Sequence, residues 1–235
     1  MDRNQTIGLC LSSVAGYVDT AGFVLLFGLF TAHVTGNFVL AGASFASHDL
    51  YNVWGRLATL PVFVAAVLLS AFVARSAKRS GRNDLQILIL IEGSILFFFA
   101  LAGLLAKPLM SGGPSDLLVA LVGSIGVFAM GIQNGIMRVC LPSLAYTTVM
   151  TGNFTQAMVD MWEYVQSAGE ARAAAQARLK RTLPPLCGFT MGAILSGLLT
   201  STIHFWGIGL PIFLLFGLAF YLRDSKSTSS AATLP

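Results

Sequence analysis

The sequence predicts an all-α polytopic membrane protein built from two inverted repeats. Three observations predict it: the composition, the uncharged runs and a recurring polar triplet. The 235-residue chain is 55% hydrophobic and only 10% charged, with a mean hydropathy of +0.77; a soluble domain carries about 25% charged residues. Apolar runs of about 20 residues are long enough to cross a hydrocarbon core of about 30 Å. Residues 57–74 and 117–137 carry no charge, and 85–106 carry only Glu92. Residues 183–222 are uncharged over a length that suits two spans, with a turn around His204–Gly207.

Taken in order, the first span is interrupted by Asp19 and has no small-x-small cleavage site, so it is expected to stay as a helix. "HVTGNF" (33–38) then opens a shorter, amphipathic helix, and two full spans follow. The same order recurs after "VMTGNF" (149–154). "GYVDTAG" (16–22) precedes the first triplet and "GIQNGIM" (131–137) the second at nearly the same distance, which sets Asp19 opposite Asn134. Downstream, Pro61 and Ser70 correspond loosely to Pro185 and Ser196, each proline near the start of a span. Such internal symmetry is a sequence sign of transporter repeats. The expected units are a first repeat (1–106), a second repeat (107–222) and a disordered polar tail (223–235).

Charge gives the orientation. Arg75, Lys78, Arg79 and Arg82 cluster in one loop and Arg172, Arg178, Lys180 and Arg181 in another, while Arg3, Arg223 and Lys226 flank the termini. Only Arg56 and Lys107 fall on the other side. The positive-inside rule then places both termini and both basic loops in the cytoplasm, with 107–116 outside. The second half therefore starts outside, and the repeats are inverted only if each post-triplet helix stops short of a full crossing.

The triplets are the candidate substrate site: Thr35, Gly36, Asn37, Thr151, Gly152 and Asn153. Thr35 and Thr151 are favoured helix starts, and Asn37 and Asn153 can bond first-turn amides. Gly36 and Gly152 allow close backbone approach. The preceding "LFTAHV" and "LAYTTVM" read as strand-like. Two such half-helix N-termini facing one cavity would offer amide donors and positive dipole ends to a small anion or polar molecule. The alternative is helix-packing glue.

Asp19 lies about midway along the first span, where a charge is costly and usually functional. It is either a proton- or cation-coupling group or a structural carboxyl tied to Thr35 or Asn153; both stay open. His33 is a candidate proton shuttle beside it, or a packing residue. Gln133, Asn134 and Tyr17 are secondary candidates. Glu92 is expected to pair with Arg138, with an anion-attracting Arg138 as the alternative. Asp160 and Glu163 are expected at the interface.

"GYVDTAGF", "TAHVTGN", "MGIQNG" and "TTVMTGN" resemble the YoaK-like family of small bacterial inner-membrane proteins, over nearly the whole chain. The resemblance implies a multi-pass protein of the bacterial inner membrane and no defined activity, since the family's function is unknown. In architecture, the reading is also similar to the core of nucleobase and sulfate transporters, although this chain is far shorter.

Cys10, Cys140 and Cys187 share no metal-like spacing and are expected as buried small hydrophobes. His33, His48 and His204 are too dispersed for a metal site. No enzyme motif is present, and no cofactor is expected. The net charge of +4 needs no nucleic-acid partner, because topology and anionic lipid account for the basic loops. The expected partners are the bilayer and a small-molecule or ion substrate, with a homodimer left open. The expected function is a secondary transporter of a small anion or polar metabolite; a passive channel and a non-transporting scaffold are the rivals.

Overall fold

The computed structural model describes residues 2–46, 50–110 and 116–231; His48, residues 111–115 of the expected 107–116 loop and residues 232–235 lie outside them. Among the described residues every regular element is helical: α1 (Arg3–Leu25), α2 (Val34–Ala46), α3 (Leu50–Leu57), α4 (Thr59–Arg79), α5 (Asp84–Met110), α6 (Asp116–Val139), α7 (Met150–Gln166), α8 (Gly169–Ile203), a 3-10 turn (His204–Ile208) and α9 (Gly209–Ala231). Helix thus continues past Leu222, where a disordered tail was expected.

Among the described residues, five segments are long and apolar enough to cross a membrane, the last being the 55 residues 169–223. At about 1.5 Å per residue that segment far exceeds one crossing. It folds back at the 3-10 turn, where His204 takes φ 51°, and both α8 and α9 pack on α1. The outward surface is apolar: Phe72, Leu105 and Phe213 are each more than two-thirds exposed. A surface of that kind is stable against lipid.

α1 starts with a capping box. The Asp2 carboxylate accepts from the Gln5 amide at 2.7 Å, and Gln5 Oε1 accepts from the Asp2 amide at 3.0 Å. It ends where Phe27 and Gly28 turn left-handed (φ 53° and 84°) and the Gly28 amide donates back to the Phe23 carbonyl. Glycine takes such a φ without strain, which suits Gly28 to the reversal.

Two helix pairs hold the bundle together through small residues. α1 lies along α8 and α4 along α6. A Cβ on Gly192 would sit 2.1 Å from the Ser13 carbonyl oxygen, and one on Gly16 equally close to that of Phe189. On the other seam, Gly131 and Gly135 face Ala66 and Ser70. Without a hydrophobic driving force between helices in lipid, close backbone approach supplies the packing.

The charged loops gather at one end. Gln5 of α1 donates to the Lys180 carbonyl of α8, Lys78 pairs with Asp84 at 3.2 Å and donates to the Val139 carbonyl of α6. Arg56 lies at the opposite end and donates to the Gly28 carbonyl at 2.6 Å. α1 and α5 therefore start at the basic end, whereas α4 and α6 finish there.

Several expectations change. Pro184 and Pro185 lie inside α8, not near its start, because that helix begins at Gly169. Cys187 is exposed, and Cys10 and Cys140 are half-buried. Burial and the neighbouring Asp84 carboxylate push the Cys140 thiol up to about 12, so it stays protonated and donates to Asp84. Asp160 is fully buried within the protein: Arg178 of α8 donates to it from Nε at 2.6 Å and to Glu163 from Nη2. This clasp fixes α7 on α8. Arg178→Met is expected to lower the thermal midpoint and open α7 to proteolysis, because a buried carboxylate loses its partner. Glu163→Gln, on the more exposed arm, should change both readouts little.

Candidate functional site

The centre of the first half is Asp19, buried with 4% of its surface exposed. It is the seventeenth of the 23 residues of α1, about three-quarters along the helix and not at its middle. The loop between α1 and α2 folds over it. Asp19 Oδ1 accepts from the backbone amides of Thr31 (2.9 Å), Ala32 (2.7 Å) and His33 (3.3 Å). Oδ2 lies 2.5 Å from Nδ1 of His33. The partners are thus the loop amides and His33, not Thr35 or Asn153.

These bonds explain why the loop is no strand. Strand amides need a neighbouring strand; here Asp19 takes three of them, and Asn37 takes both backbone groups of Phe30. The Phe30 amide donates to Asn37 Oδ1 at 2.9 Å, and Asn37 Nδ2 donates to the Phe30 carbonyl at 2.8 Å. Asn37 was expected to cap the first turn of α2. Instead it is the fourth helical residue, and helical side chains lean toward the N-terminus, which carries its amide back to the loop.

The second half repeats this frame without the charge. Asn153 Nδ2 donates to the Tyr146 carbonyl at 2.6 Å, again seven residues back. Thr148 Oγ1 donates to Asn134 Oδ1 at 2.7 Å. Gln133 Nε2 donates to the Leu11 carbonyl and to Thr147 Oγ1, both at 2.8 Å. Val149 stands where the first half has His33, and α7 has no side-chain cap.

The structure does not bring the two triplets to one cavity. Thr35, Thr151 and Gly152 are exposed. α2 packs on α3 and α4, while α7 packs on α8. Leu11 marks the depth of Gln133, and the eight residues from Leu11 to Asp19 separate the two polar centres by about 12 Å along the helix. Asp19 and His33 instead open on a groove of about 400 Å³, walled by Phe23, Phe30, Gly36 and Phe189 of α8. The His33 ring meets Phe30 and Phe189 edge-on, each at 5.9 Å between centroids. Tyr17 points elsewhere, toward Gly207 and an apolar groove between α8 and α9.

Glu92 does not pair with Arg138. Its carboxyl is fully buried with no hydrogen-bond partner, while the Arg138 guanidinium lies 4.5 Å over the Tyr146 ring at the end of α6. Long cationic side chains near a helix end turn toward the interface. Among the described residues no group of His, Cys, Asp and Glu is placed to hold a metal.

Sequence reasoning did not anticipate the roles of Phe30, Thr31, Ala32 and Phe189. The Phe30/Tyr146 and Thr31/Thr147 correspondence, seven and six residues ahead of the two asparagines, was the available signal.

No solved structure matches the chain. It is 26% identical over 218 residues to the UPF0700 transmembrane protein YoaK of Bacillus subtilis (strain 168), covering 92% of each chain. The family described as "Protein of unknown function (DUF1275)" matches residues 7–221, and the chain belongs to that family.

Proposed function

We propose that the chain is a secondary transporter of a small anion or polar metabolite, coupled to protons through Asp19 and His33. The observation that carries this reading is a buried carboxylate–imidazole pair within a bilayer-spanning bundle, opening on a groove. An ionised carboxylate only accepts, so Nδ1 of His33 holds a proton and Nε2 is where the ring gains or loses one. The N-terminus of α2 begins beside His33 and adds a positive dipole end that favours an anionic or acceptor-rich solute.

The reading takes the halves 1–106 and 107–222 as inverted repeats in a bacterial inner membrane, with the basic end and both termini cytoplasmic. The repeated asparagine frames, the crossed α1–α8 and α4–α6 seams and the gathering of basic residues at one end support it. Under this reading the two polar centres lie at different depths, one titratable and one neutral, in place of a single site between the triplets.

One observation favours the rival scaffold: Asp19 Oδ1 is engaged by loop amides, as a structural carboxylate would be. Proteoliposomes separate the two. With a pH-sensitive dye inside and a panel of small anions and polar metabolites outside, the wild type is expected to move protons with one solute class. His33→Gln should abolish that movement while leaving the thermal midpoint nearly unchanged. A wild type that moves neither protons nor solutes would return the family to a scaffold role.

A further inference from the structure

Glu92 lies a third of the way along a crossing helix, the ninth of its 27 residues, fully buried, and neither carboxyl oxygen has a hydrogen-bond partner. Two contacts fix what it faces. At one end of the antiparallel α5–α6 pair, the Cys140 thiol donates to Asp84 Oδ2 at 3.4 Å. Toward the other, a Cβ on Gly126 would lie 3.2 Å from the Phe99 ring. Seven residues back from Phe99 is Glu92, and seven on from Gly126 is Gln133. A step of seven returns to the same helix face, so Glu92 stands opposite Gln133.

Gln133 is fully buried too, and its amide orientation is fixed. Nε2 donates to the Leu11 carbonyl and to Thr147 Oγ1, which leaves Oε1 as the unpartnered end. Three orphaned acceptor atoms on two facing side chains therefore share one depth. Acceptors cannot satisfy one another, and buried polar groups without partners are costly. What all three lack is a hydrogen-bond donor or a cation.

The protein's own cations do not supply it. On α4, Lys78 is engaged by Asp84; on α6, Arg138 lies over Tyr146; on α9, Arg223 is exposed. His204, in the turn packed on α5, is beside Phe205, which meets Gly103 toward the other end of α5. Among the described residues no Lys, Arg or His lies within 4 Å of the Glu92 carboxyl in an ion pair.

We propose that Glu92 and Gln133 form a second intramembrane site that binds a small cation, the proton or Na+, at a depth distinct from that of Asp19. A proton on Glu92 donates to Gln133 Oε1; Na+ takes the same oxygens as ligands. This stands independently of the transport reading at Asp19 and His33.

The full chain in lipid nanodiscs tests it. In the Na+ arm, the thermal midpoint of the wild type rises as NaCl replaces choline chloride at fixed ionic strength, by mass action on the folded state. In the proton arm, an infrared carboxylic-acid band shifts on exchange into D2O. Either signal supports the site, and the pair of arms tells the two cations apart. Glu92→Gln should remove the signal, and Asp19→Asn should leave it. Should Glu92→Gln fail to fold, Gln133→Met removes Oε1 at similar volume and serves the same comparison. A wild type with neither signal, or one whose signal survives in these variants, overturns the proposal.

Discussion

Replacing Asp19 with alanine is expected to cost about 3 kcal/mol or more, since each buried donor left unpaired costs about 1–3 kcal/mol. Three loop amides and His33 Nδ1 lose their acceptor at once. The loss should appear as a large fall of the thermal midpoint in lipid and as early proteolysis between α1 and α2. Asp19→Asn separates fold from chemistry. Its carbonyl oxygen can still accept from Thr31 and Ala32, while its NH2 faces His33 and leaves that ring neutral, with the proton on Nε2. We expect a midpoint within about 1–2 kcal/mol of wild type and no proton-coupled transport. An Asp19→Ala variant as stable as the wild type would remove the carboxylate from its place as the loop's anchor.

The second large effect is at the α1–α8 seam. Gly192→Ala sets a Cβ 2.1 Å from the Ser13 carbonyl oxygen and 3.0 Å from the Tyr17 amide nitrogen. Both are backbone atoms, so no rotamer change relieves the clash and the helices must part. Overpacking of this kind costs about 1–3 kcal/mol or more, and a seam running the length of two helices places this case at or above the top of that range. Gly197→Ala, on the same helix with no atom within 4 Å of the added Cβ, is the control. It should be neutral or stabilising by up to about 1 kcal/mol, the helix-propensity gain. Equal midpoints for the two variants would mean the seam is not held by backbone approach.

The paired asparagines show how far a motif carries. Their recurrence was plain in the sequence, and both do serve equivalent places. Their partners were not plain, because a capping bond and a bond seven residues back need the same residue type at the same position. Only the path of the loop chooses between them. Glu92 and Arg138 show the converse: a charge pair reasonable in one dimension fails because Arg138 sits one and a half turns beyond Gln133, near enough to the interface to turn outward.

Composition and charge alone determined that this is a helical chain of the membrane, where its apolar segments lie, and that most of its basic residues belong to one end. These follow from transfer free energies and helix length, which are properties of segments taken one at a time. The sequence also placed short helices after both triplets, and α2 and α7 begin there. Tertiary structure decided the rest: that Asp19 meets His33 across a loop, that the triplets stand apart, and that Glu92 is buried away from Arg138. Each is a pairing between segments whose depth and rotation are set by small-residue seams such as Gly192 on Ser13. No local pattern carries that information, because in lipid the seam forms wherever two backbones can approach closely, and this is a property of both helices together.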